Sequence, residues 1–163
     1  MPLSDFKLRE AEDEHDRKLL SDVERFGWHV VHINEDEEGP GFSFSVGFYY
    51  TLQQPEILIM GLKQEVAHDL LRIAYVQMRG GRSFKPFERY SDFAQGCDCA
   101  FAPIGIEHYR EHLGYAMWFY RSLPNPFPAL QLIWPDKRGR FPWENGFDER
   151  FFKLQKSLYA TRR

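Results

Sequence analysis

Residues 124–143, P-N-P-F-P-A-L-Q-L-I-W-P-D-K-R-G-R-F-P-W, most constrain what this chain can fold into. Within them 129–134 alternates Leu130, Leu132 and Trp134 against Ala129, Gln131 and Ile133. Period two with one clearly polar side chain predicts a strand covered on both faces. Pro128 and Pro135 bound it, because proline cannot donate to a ladder. Asp136 and Gly139 then have turn chemistry, and Phe141 and Trp143 bring aromatic groups back toward the strand. So dense a segment is a folding nucleus first, which leaves Asp136, Lys137, Arg138 and Arg140 at its tip as candidate surface. The three cations there either grip a phosphate or a partner's carboxylate, or solvate the turn.

The rest of the chain supports one domain built around that strand. At 163 residues it is long enough to bury a core, and 17% aromatic content argues against disorder. The first 38 residues hold 12 acids against 5 Lys and Arg, a net −7, and the remainder carries +4. No dense basic patch of the nucleic-acid-binding kind occurs, no apolar run reaches membrane-spanning length, and Met-Pro-Leu-Ser-Asp is not a signal peptide. The expectation is a cytoplasmic protein without nucleic-acid or membrane partners. Cys97 and Cys99 would point to opposite faces of a strand, which reads as small apolar groups or thiols rather than a mutual disulfide.

In chain order, a flexible leader at 1–10 precedes one domain over 11–163 that ends in an amphipathic tail (Phe151, Phe152, Leu154, Leu158) and a basic Thr-Arg-Arg. A helix is predicted over 11–26, with acids in its first turns and Gly27 as its cap. Strands follow at 28–33, 42–48 and 57–60, the first two separated by the acidic loop 34–41. That loop lacks the regular oxygen spacing of a calcium site and reads as solvated. Ser43, Ser45 and Gly47 make one face of the second strand small, so a helix or a ligand must lie close. A helix at 64–79 would bury Val66, Ala67, Leu70, Ile73, Ala74 and Val76, and Gly80 and Gly81 stop it. An irregular stretch at 82–95, a strand at 97–101, a helix at 106–122 and the opening stretch complete an α+β domain, a mainly antiparallel sheet with helices packed on it.

The helix at 106–122 carries the candidate chemistry. Projected at 100° per residue, Ile106, Tyr109, Leu113, Ala116, Met117 and Tyr120 form one apolar stripe. His108, His112, Tyr115 and Phe119 form another, with Trp118 and Arg121 beside it. The second stripe is either buried between layers or a contact surface, and Trp and Arg are enriched in interface hot spots. His108-Tyr-Arg-Glu-His112 also matches the inverted zinc-hydrolase motif, in which two imidazoles four apart share a metal and the glutamate, here Glu111, acts as base. The third ligand has no obvious source; Glu144 and Glu149 are the candidates. A thiol nucleophile at Cys97 or Cys99 with His108 as base lacks anything to lower its pKa. No phosphate loop or dinucleotide fingerprint occurs, and no cofactor is implied.

Five blocks carry a resemblance: G-W-H-V-V-H-I, D-E-E-G-P-G-F-S-F-S-V-G-F, P-E-I-L-I-M-G-L, L-G-Y-A-M-W-F-Y-R and P-A-L-Q-L-I-W-P-D-K-R-G-R-F-P-W. Over roughly residues 25–150 the chain resembles the bacterial domain of unknown function 4262 family, and the last two blocks are specific. That resemblance implies a fold and no activity. His112 and the Cys97–Cys99 pair depart from the family's pattern, which counts against the zinc and thiol readings. More loosely, strand, G-F, P-E-I-L-I-M-G-L and a helix ending in G-G-R-S-F-K-P-F is similar to Suppressor-of-fused-like domains, which implies an immunity protein that neutralises a toxin. The residues therefore favour a non-catalytic module that binds a protein partner. Zinc hydrolysis through His108, Glu111 and His112, or a small-ligand pocket beside Ser43, Ser45 and Gly47, is the alternative.

Overall fold

Six strands form a single sheet in the order His29–Ile33, Phe42–Val46, Glu56–Met60, Ala129–Ile133, Cys97–Pro103, Tyr90–Ala94, so the strand read from 129–134 lies inside it. The structure is a computed structural model that describes residues 2–160. The Cys97 side chain and the basic end at 161–163 lie outside the described residues. The strands are β1 (His29–Ile33), β2 (Phe42–Val46), β3 (Glu56–Met60), β4 (Tyr90–Ala94), β5 (Cys97–Pro103) and β6 (Ala129–Ile133). Every neighbouring pair is antiparallel except β3 with β6, where Glu56 faces Ala129 and Ile59 faces Leu132. All five residues of β6 are buried, as expected of a strand covered on both faces.

Helices cover both faces, giving the α+β architecture. On one side α3 (Gln64–Arg79) packs Leu70, Leu71 and Ala74 against Ile57, Ile59, Leu130, Leu132 and Phe101. On the other, α1 (Glu14–Phe26), α4 (Tyr109–His112) and α5 (Gly114–Phe119) close over Phe44, Val46, Leu58 and Ala129. Asp13 caps α1 by accepting from the Asp16 amide at 2.8 Å, and Gly27 ends it at φ 91°. The small face of β2 lies against α3, so a helix meets those serines.

Several local expectations change. The stretch from Phe42 leaves β2 at Val46. Gly47 turns at φ 120°, and a side chain there would sit 2.7 Å from the Gly27 carbonyl oxygen. The short helix α2 (Phe48–Leu52) follows, taking up the end of the stretch read as strand 42–48. In α3, Val66 and Val76 are exposed, while Leu71 and Met78 take their places in the core. The stretch 82–95 contains edge strand β4. The expected helix 106–122 is three pieces: a 3-10 turn over Ile106–His108, then α4, then α5 after a break at Leu113 (φ −123°, ψ 36°). Gly114, the first residue of α5, makes a break at this point less costly, since glycine weakens a helix by about 1 kcal/mol relative to alanine.

The leader lies against the domain: the Leu3 amide donates to the Tyr50 carbonyl at 2.8 Å, and Phe6 meets Tyr50, Phe119 and Tyr120. The tail is joined to β6 by two buried glutamines. Gln155 bonds both the N–H and the carbonyl of Trp134 at 2.9 Å, and Gln131 bonds the Lys156 carbonyl and the Leu158 amide.

Candidate functional site

Because the 106–122 segment is broken, its residues do not share one surface. His108 and His112 keep one side and remain half-buried. Tyr115 is exposed and stacks on His15 with ring centroids 4.1 Å apart. Trp118 is half-buried beneath the Arg9 guanidinium. Phe119 is fully buried among Phe6, Tyr50 and Tyr120, so it is a core residue and not part of a contact surface. Arg121 is exposed on the other side, by a shallow apolar groove with Met117 and Ile106. A 100° projection fails across the Leu113 break, which is why Ile106 and Met117 face solvent and Phe119 does not.

The basic turn is a second, separate feature. Asp136 is 5% exposed and cannot present its carboxylate to a partner. Its Oδ1 accepts from the Arg138 and Arg140 amides, and its Oδ2 from the Asp148 amide, all at 2.9 Å. Burial pushes its pKa up, but those donors outweigh it and hold the carboxyl below its ordinary value. Lys137 and Arg138 remain exposed and Arg140 half-buried. Arg89 braces the turn through the Gly139 carbonyl and Glu144, its guanidinium 4.5 Å from the Phe141 ring centroid.

Two features far apart in sequence do come together. The acidic loop and the His108–His112 turn face each other across a cleft of about 320 Å³. Its floor is Ile33, Phe42, Met60 and Leu158, and its charged lining is Asp36, Glu38, Glu111 and Lys156. The loop holds its shape because Asp36 accepts from the Glu38 and Gly39 amides at 2.8 and 3.2 Å. Lys156 reaches across to the Glu38 carbonyl at 2.7 Å. The His112 ring lies 5.1 Å from that of Phe42, and its Nδ1 is 3.3 Å from the His108 carbonyl. Burial lowers the His112 pKa, so the imidazole is neutral near pH 7. With three carboxylates against one ammonium, the cleft is net negative over an apolar floor.

For chemistry, the two imidazoles lie with centroids 6.1 Å apart. Among the described residues no three His, Cys, Asp or Glu side chains come together as a metal set. Neither Glu144 nor Glu149 lines the cleft; Glu144 instead pairs with Arg89. Beside the small face of β2, Ser45 donates to Glu56 at 2.7 Å and Ser43 bonds His32 at 2.6 Å, so both hydroxyls are already engaged.

Sequence reading singled out the acidic loop and the histidines separately and missed the tail residues that wall the cleft. It also missed His29, whose Nδ1 lies 2.8 Å from Asp22. The spacing of Asp22 and His29 across Gly27 was the available signal, since a helix followed at once by a strand folds those positions together.

With this geometry in hand, the family model described as "Domain of unknown function (DUF4262)" matches residues 22–148, well over half of the chain. The chain belongs to this family. The matched span includes the acidic loop and α4 but stops short of Lys156 and Leu158 in the cleft wall. No curated protein and no solved structure matches the chain. Among the described residues no helix is long and apolar enough to cross a membrane.

Proposed function

We propose that this chain is a protein-binding module whose cleft between loop 34–40 and α4 takes a basic segment of its partner. The observation that carries this reading is the convergence of Asp36, Glu38 and Glu111 on an apolar floor, with His108 and His112 on the wall. A Lys or Arg side chain fits such a site twice over, its aliphatic stem on Ile33, Phe42 and Met60 and its charge among the carboxylates. The toxin-neutralising role implied by the looser Suppressor-of-fused-like order is the specific form of this reading, and the resemblance alone supports it.

Affinity capture from extracts of the cells that make the protein tests the proposal. The double variant Glu38→Lys, Glu111→Lys reverses the cleft's charge at two exposed positions and should fold normally. Wild type should retain a partner that the variant loses, by tenfold or more in affinity if each pairing contributes about 1 kcal/mol. Equal recovery by both proteins would remove the cleft from consideration.

A further inference from the structure

A sheet with two ends has two open edges, and here the two are treated differently. Edge strand β4 is interrupted by a register shift between Tyr90 and Ala94, and it carries Asp92, whose side chain is 75% exposed. Both features discourage pairing with another strand. Edge strand β1 has neither. Its sequence, His-Val-Val-His-Ile, contains no Pro, Lys, Arg, Asp or Glu, and it pairs with β2 through five consecutive registers. Among the described residues, β1 makes no backbone hydrogen bond beyond that pairing.

The flanks of this edge are also shaped. Helices α1 and α3, on opposite faces of the sheet, leave a groove of about 350 Å³ running over β1. Trp28 and Val30 form its apolar floor, and Phe26, 56% exposed, stands at its mouth. Lys18 on one wall and Arg72 on the other are both mostly exposed. The one carboxylate in the lining, Asp22, is engaged by His29 at 2.8 Å and by Lys18 at 2.9 Å. His68 sits beside Trp28 with ring centroids 5.7 Å apart. Lys18 and Arg72 outnumber that carboxylate, so the lining carries a net positive charge, with Asp69 3.8 Å from Arg72 outside it.

We propose that β1 accepts an extended, acidic segment of a partner protein as a seventh strand, held in the groove between α1 and α3. Main-chain hydrogen bonds to the free edge supply affinity, and alternate side chains supply selection. Acidic residues reach Lys18 on one side and Arg72 on the other, while an apolar residue covers Trp28 and Val30. A second copy of this chain is the poorer occupant, because edge-to-edge pairing would bring two sets of Lys18 and Arg72 together. The groove shares no lining residue with the cleft by α4, which meets β1 only at its far end, Ile33, and does not depend on it.

The test uses the full chain, isotope-labelled, with two blocked peptides: Glu-Val-Glu-Val-Glu-Val and Lys-Val-Lys-Val-Lys-Val. The acidic peptide should shift the amide signals of residues 29–31 and slow their hydrogen exchange by about tenfold or more, and the lysine peptide, whose side chains suit the cleft floored by Ile33, should not. The double variant Lys18→Glu, Arg72→Glu, which leaves the strand untouched, should reverse the preference. Unchanged signals at 29–31, or equal response of those residues to both peptides, would overturn the proposal. So would exchange that slows with protein concentration alone, which would assign the edge to a second copy.

Discussion

Glu56 opens β3 with no exposed surface and five donors pointed at its carboxylate. Ser45 Oγ donates at 2.7 Å, the Gly47, Phe48 and Tyr49 amides at 3.1 Å, and the Tyr120 hydroxyl completes the set. Burial pushes its pKa up, and the donors oppose that by favouring the anion. The three amides open α2, so one side chain joins β2, α2, β3 and the Tyr120 end of α5. Glu56→Gln keeps the shape but in either orientation turns an –NH₂ toward at least one backbone amide, which can only donate. A loss of about 3 kcal/mol in denaturant unfolding is expected, and an unchanged midpoint would contradict this role. Histidines add a pH dependence. Burial lowers the His29 pKa below its ordinary 6.5, with the Asp22 bond pulling it partly back. A depressed folded pKa means that the unfolded chain takes up the proton first. The stabilisation from neutral His29 is complete above 6.5 and is lost as pH falls through the folded pKa. Comparing wild type with His29→Gln isolates this effect: the wild-type advantage should narrow between about pH 7.5 and 5.5, and a constant or widening advantage would refute it.

At the scale of elements, burial on both faces made β6 legible, and its proline boundaries located it to within a residue. The α1 and α3 helices were legible for a similar reason, since each ends at a glycine and carries an apolar face. The 106–122 segment was not. Its apolar spacing continues through Leu113 and Gly114, so periodicity alone gives one helix where the backbone makes three pieces. The β4 strand was missed because its five residues Tyr-Ser-Asp-Phe-Ala are short and carry a charge. The tail was read as amphipathic, but its attachment lies in the hydrogen bonds of Gln131 and Gln155, which apolar periodicity does not register. Gln155→Ala should leave the Trp134 N–H and carbonyl unpartnered and cost about 1–3 kcal/mol. Hydrogen exchange should then speed up at the Trp134 and Leu158 amides, and unaltered protection at both would show that the tail is held otherwise.

Across the whole molecule, the parts of the cleft were readable and their meeting was not. Residues 34–38 announced themselves by charge, and His108 and His112 by spacing. Their encounter depends on the β1–β2 connection curling toward α4, a long-range relation without local signature. Lys156 and Leu158 join them only because two buried glutamines draw the tail back along β6. The result is a compact negative cleft built from four separate stretches of chain, Met60 of β3 included, and partner binding there is the account's central claim. The most direct measurement places a photo-crosslinking amino acid at Glu111 in the cleft and, in a parallel protein, at exposed Glu88. Both are irradiated in the cells that make the protein, and adducts are identified by mass spectrometry. The account predicts a discrete protein adduct from position 111, mapping to a Lys- or Arg-bearing segment, and none of comparable yield from position 88. No adduct at 111, or the same adducts from both positions, would contradict it.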